Sequence, residues 1–113
     1  MKLIIIKNKY NEENEYNLEL DQSLLIKNCT NSKFIITNKI NKIIILNSDN
    51  IYIKINRIIT SIEITQSNNI LINGNNVPCI ELYKSTVYLL GNIYQYKNIL
   101  IISELSNLLN IQM

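Results

Sequence analysis

The chain of 113 residues has no histidine, tryptophan or alanine, and only two glycines, two cysteines and one proline. Each shortage excludes something. Without histidine, the usual general base and the commonest metal ligand are both missing. The scarce glycine supplies no Gly-rich loop of the kind that cradles phosphates. With no secretory leader ahead of them, Cys29 and Cys79 are expected to be small reduced core residues rather than a disulfide. The longest aliphatic runs are four residues (Leu3 to Ile6, Ile43 to Leu46, Ile99 to Ile102), far below the roughly 18–20 that cross a bilayer. Neither sign of charge dominates. Eleven Lys+Arg against nine Asp+Glu give a formal +2, too balanced for a nucleic-acid or acidic-membrane binder. These features together predict a cytoplasmic protein that contacts neither nucleic acid nor membrane, with no metal or other cofactor.

What the chain does contain is isoleucine and asparagine, its two most abundant residue types. An AT-rich coding sequence would produce the same bias, so part of it is mutational. A chain that is 47% apolar has too much hydrophobicity and too little net charge for disorder. Its asparagines punctuate apolar runs singly instead of forming tracts. The apolar runs are short and β-branched from residue 24 to residue 98. Corresponding apolar positions fall at 36, 45, 53, 62, 72, 80 and 89, close to nine residues per step.

A sandwich of hairpins and a parallel solenoid both give strands at such spacing. Tight hairpins need positive φ at their central residues and favour Asn-Gly, and only Asn73-Gly74 fits. Single Asn corners suit a solenoid, because Asn enters the left-handed region more readily than other non-glycine residues and can stack into amide ladders. Within a strand such as Ile51-Tyr52-Ile53-Lys54-Ile55, alternation sends Ile inward and Tyr or Lys outward. The expected fold is all-β, a parallel solenoid with roughly 18 residues per turn and about six coils, some 30 Å tall. It divides into an N-terminal strand and loop (1–20), the coils (21–98) and a C-terminal strand pair (99–113). Leu109, Ile111 and Met113 alternate with Asn110 and Gln112, which reads as a strand after a turn; a helix through Leu105, Leu108 and Leu109 is the other option. The end pieces have two possible uses, capping their own solenoid or reaching across to a second subunit.

Taken in order, Glu19 to Gln22, Cys29 to Ser32, Thr37 to Ile45, Ile62-Glu63-Ile64 and Gly74 to Pro78 resemble segments of one known family, the C-terminal domain of cyclase-associated proteins. The family's opening is similar to Glu19-Leu20-Asp21-Gln22 followed by Cys29-Thr30-Asn31-Ser32. Its Lys-Gly-Lys-Val-Asn strand resembles Thr37 to Ile45, its Val-Glu-Ile strand Ile62-Glu63-Ile64, and its Gly-Lys-Val-Pro Gly74 to Pro78. Lys84, Val87-Tyr88-Leu89 and Ser103 to Asn107 look like later family segments. The resemblance implies a right-handed parallel β-helix and a homodimer whose C-terminal strands exchange, here Ile99, Ile101, Leu109 and Ile111. It also implies a non-enzymatic activity, binding monomeric, ADP-bound actin and promoting exchange of its nucleotide. Family-matched polar positions make Lys39, Glu63 and Lys84 the expected actin contacts. There are departures. The family continues past the point where this chain stops, and its basic Cys-Lys-Lys corner is Ser48-Asp49-Asn50 here. A Gly-containing loop is shortened to Ser85-Thr86.

Tubulin cofactor C shares this solenoid and uses a strand Arg as a finger into a GTPase. The register puts Lys42 in that position, without the planar fork of Arg, and Arg57 falls in the next connector. Lys39, Lys42, Lys54 and Arg57 form a basic stripe if their coils stack; ordinary solvated strand charges are the plainer reading. Glu63 and Glu81 resemble an acid–base pair, but with no nucleophile or histidine beside them they read as outward solubility charges. Tyr52, Tyr83, Tyr88, Tyr94 and Tyr96 are candidates for a partner surface, and at least half should simply cover strand faces.

Overall fold

In a computed structural model, residues 2–75, 77–96 and 98–112 are described. Their strands follow the chain as β1 (Lys2–Lys7), β2 (Glu13–Tyr16), β3 (Gln22–Lys27), β4 (Thr30–Leu46), β5 (Asp49–Thr65), β6 (Asn68–Gly74), β7 (Cys79–Tyr83), β8 (Thr86–Leu90), β9 (Leu100–Glu104) and β10 (Asn107–Ile111). A 3-10 turn, Ile93–Tyr96, separates β8 from β9. Every strand pairing among the described residues is parallel, as a solenoid requires and a hairpin sandwich forbids.

The strands stack as two walls. The first wall contains β1, β3, the second halves of β4 and β5, β7 and β9. Its central inward column is Ile4, Leu24, Ile43, Ile62, Ile80 and Ile101. The coils are therefore similar but unequal in length, shortest from Ile62 to Ile80 and longest from Ile80 to Ile101. The second wall contains β2, the first halves of β4 and β5, β6, β8 and β10. Between the walls, on the long way round, a short third side keeps pairing through Lys39 with Arg57 and Ile40 with Ile58, bounded by register shifts. The two segments expected as separate strands on either side of Asn38 and Asn41 are therefore one 17-residue strand. The whole measures 28 × 25 × 25 Å.

Branched aliphatics fill the interior. Ile43, Ile45, Ile51, Ile53, Ile62, Ile70, Ile72 and Ile80, with Leu24, Ile26 and Phe34, are fully enclosed. Their χ1 stiffness suits the pleated surface. The tight corner between the walls supplies the other half of the design. Asn28, Asn47, Gln66, Lys84 and Leu105 stack there with positive φ, and Asn31, Asn50 and Asn69 do the same three residues later. Asn side chains ladder along the second stack: Asn50 donates to Asn31 Oδ1 at 2.7 Å and Asn69 to Asn50 Oδ1 at 2.9 Å. Asn38, Asn41 and Asn56, which also punctuate apolar runs in the sequence, lie inside β4 and β5 and not at corners.

A buried serine ladder runs beside these corners. Ser48 Oγ accepts the Cys29 N–H and donates to the Leu46 carbonyl. Ser67 does the same for Ser48 and Thr65, Ser85 for Ser67 and Tyr83, and Ser106 for Ser85 and Glu104. Each hydroxyl satisfies a backbone N–H that the sharp corner leaves out of the sheet ladder. Cys29 occupies the same place one coil earlier, its thiol 3.4 Å from the Lys27 carbonyl. Both cysteines are free, and Cys29 is buried as expected. Cys79 is only half-buried, because its register with Leu100 puts it in an outward column of the first wall.

Candidate partner-binding face

The outer surface of the first wall carries the polar chemistry. Its strands run from the third side to the tight corner. Lys39 lies three residues before Lys42, where the β4 segment of the wall begins, and pairs in register with Arg57. Glu63 stands at mid-wall on β5, with Glu81 directly on the next rung. Lys84 follows β7 at the corner, in the left-handed region with φ 48°, its ammonium 5.3 Å from the Tyr83 ring centre. The three sites read from the sequence thus mark the two edges and the middle of one wall and do not form a cluster.

Glu63 is a tied residue. Lys42 Nζ lies 2.7 Å from its Oε2, and Ser61 Oγ donates to the same oxygen at 3.0 Å. Partial burial pushes the carboxyl up, but hydrogen bonds from Lys42 and Ser61, with the lysine charge, outweigh it and hold Glu63 below the usual carboxylate range. The hydrogen bond to Glu63 raises Lys42 above the ordinary lysine value, against a small desolvation. Cys79, beside this group, is pushed up by burial and by the charges of Glu81 and Glu63, so it stays a thiol at neutral pH. The arrangement has no activated nucleophile. Among the described residues no group of three or more Cys, Asp or Glu is placed to hold a metal ion.

The stacking divides the four-cation stripe. Lys54 sits on the second wall, in register with Ile35 and Asn73, and Lys42 is consumed by Glu63. Only Lys39 and Arg57 remain neighbours, and together they line a groove of about 320 Å³ floored by Ile58 and Val77. The tyrosines scatter too. Tyr52 and Tyr88 face outward on the second wall, both in register with Leu71, and Lys33 Nζ lies 5.2 Å from the Tyr52 ring centre. Tyr83 is exposed at the corner. Tyr96 is a structural plug whose hydroxyl donates to the Leu90 carbonyl at 2.5 Å and lies 3.3 Å from that of Ile72. The side chain of Tyr94, like Met113 at the end of the alternating C-terminal pattern, lies outside the described residues.

The C-terminal pair continues the coil: β9 pairs with β7 and β10 with β8 of the same chain. Of the expected exchange residues, Ile99 is half-buried against the core, while Ile101, Leu109 and Ile111 are exposed. Residue chemistry alone did not single out Arg57 as the partner of Lys39. It did not reveal the serine ladder either, although Cys29, Ser48, Ser67, Ser85 and Ser106 recur at the coil spacing.

No helix among the described residues is long and apolar enough to cross a membrane. No curated protein sequence matches the chain. Among solved structures, it is similar to a crystal structure of cyclase-associated protein from Cryptosporidium parvum, with a TM-score of 0.86 and 26% identity, covering 96% of this chain and 71% of that one. The family profile described as adenylate cyclase associated (CAP) C terminal matches residues 2–113. A parallel solenoid of about six coils and a match over nearly the whole length agree: the chain belongs to the C-terminal domain family of cyclase-associated proteins.

Proposed function

We propose that this chain is a single, non-enzymatic binding domain of the cytoplasm that engages monomeric, ADP-bound actin and promotes exchange of its nucleotide. The observation that carries the reading is the family match across residues 2–113. The outer face of the first wall supports it, since it offers lysines at both edges. Lys39 and Lys84, with no ion pair within 4 Å among the described residues, are the contacts for an acidic partner. Glu63, tied to Lys42, orients the middle of the face. We further propose that the domain is a homodimer in which Ile99, Ile101, Leu109 and Ile111 exchange between copies. The open C-terminal coil supports this by leaving aliphatics that a second copy would cover.

The test is release of a fluorescent nucleotide from ADP-actin. The domain should accelerate release, and a Lys39→Glu, Lys84→Glu double variant should abolish the acceleration; full stimulation by that variant contradicts the assigned face. Sedimentation equilibrium of the intact chain against one ending at Asn98 tests the dimer, which truncation should convert to monomers. GTPase activation through Lys42 loses support, because its ammonium is already held by Glu63. A solenoid without any partner face would be indicated by no actin affinity at tens of micromolar.

A further inference from the structure

We infer that the groove between Lys39 and Arg57 receives an acidic side chain, flanked by an apolar residue, from the protein partner; this deepens the actin reading and rests on it for the partner's identity. The two cations stand on adjacent rungs of parallel strands, about 4.8 Å apart in the backbone. Like charges so placed repel unless an anion lies between them. None does among the described residues. Their ion pairs are Lys33 with Glu13 and Lys42 with Glu63. Lys39 and Arg57, like Lys84 and the in-register lysines Lys7 and Lys27, have none, and Lys39 and Arg57 in addition line a groove. Glu19 and Asp21 line a separate depression that shares only Ile59 with this groove.

Apart from Asn98, the rest of the lining is apolar. Ile58 and Val77 are buried beneath, Ile59 is 43% exposed, and Pro78 forms a rim. An exposed branched aliphatic beside an unpaired guanidinium matches a carboxylate with an apolar neighbour. Arg can grip that carboxylate with two parallel N–H donors while Lys39 supplies a second charge. The groove's volume of about 320 Å³ lies at the small end of the ligand-pocket range and admits one or two side chains.

The experiment uses the intact chain with two probes, monomeric ADP-actin and a hexaglutamate peptide. Arg57→Glu should weaken actin binding about tenfold or more, and Arg57→Gln less. Lys54→Glu, on the other wall, should change it less than about twofold. Hexaglutamate should shift the amide resonances of Ile58 and Ile59 in the natural chain but not in Arg57→Glu, with thermal melts checking that all three variants fold. Unchanged actin affinity in Arg57→Glu overturns the groove and leaves the actin reading standing. Groove shifts with hexaglutamate but no actin binding by the natural chain sink the actin reading and keep the groove. Shifts produced by vesicles containing phosphoinositide, and not by the peptide, overturn the proposal in favour of a lipid surface.

Discussion

Ile4 and Ile101 close the same inward column at opposite ends of the first wall, yet Ile4 is half-buried and Ile101 is 48% exposed. At the N-terminal end the inner positions of β2 are Asn14 and Tyr16 rather than aliphatics. Tyr16 lies against Phe34, with ring centres 6.2 Å apart. The loop behind it is pinned where Asn38 accepts the Leu18 N–H at 2.8 Å. At the C-terminal end Ser103 and Asn110 soften the inner edge, but Leu100, Ile101, Ile102, Leu109 and Ile111 stay open to water. A depression of about 230 Å³ opens between Tyr96, Ile101 and Leu108. A solenoid must hide its terminal edges or lend them to something else. Both ends leave outward aliphatics in water, Leu3 and Ile5 at one and Leu100 and Ile102 at the other, but the inward column is better covered at the N-terminal end.

The sharpest way to test this contrast is to cut the same column twice. Ile80→Ala, at a fully enclosed position, should cost about 2–5 kcal/mol in urea unfolding. Ile101→Ala should cost under about 1 kcal/mol in the monomer, and more as concentration rises if a second copy covers it. Equal costs at high dilution would break the comparison. The serine ladder gives a second, smaller pair. Ser67→Ala strands the Ser48 N–H in a buried corner and should cost about 1–3 kcal/mol, while Ser106→Ala at the open end should cost less, because water replaces the hydroxyl.

Leu105 sits in the left-handed region with φ 51° and is 72% exposed, where Asn28 and Asn47 stand in earlier coils. Leu105→Asn should raise stability by about 0.5–1 kcal/mol, read as a higher Tm. The smallest effect concerns the wall between the ends. Glu63 is held below its unfolded value of about 4.5, so its pairing with Lys42 adds stability above that pH. The contribution disappears as pH falls through the lower folded value. A partly exposed pair of this kind is worth about 0.5–1 kcal/mol, and Glu63→Gln should flatten that part of the pH profile.

The isoleucine spacing was enough to predict coil and wall, because burial against a period-two backbone leaves a mark at every rung. Ile62 and Ile80 can be read off directly, whereas the positions read at 36 and 45 stand two residues off the columns of Ile53 and Ile62, which take Phe34 and Ile43. The tight corners were half legible. Asn28, Asn47 and Asn50 declare positive φ, but Gln66, Lys84 and Leu105 take the same conformation only because the coils above fix it. Serine carries little signal alone, so the ladder beside them needed the register to be seen. The same holds for Lys39 and Arg57. A full coil apart in sequence, they meet only because the third side keeps pairing between two register shifts, whereas Lys54, closer in sequence to Arg57, is carried to another wall.

By itself, then, the sequence determined the parallel stacked fold and its interior, since both follow from local alternation repeated at one period. Which outward charges became neighbours, which were neutralised and which end was left open were decided only in three dimensions. Coils of unequal length shift each rung's outward residues relative to the next, and electrostatic partnership falls off within a few ångströms of that register.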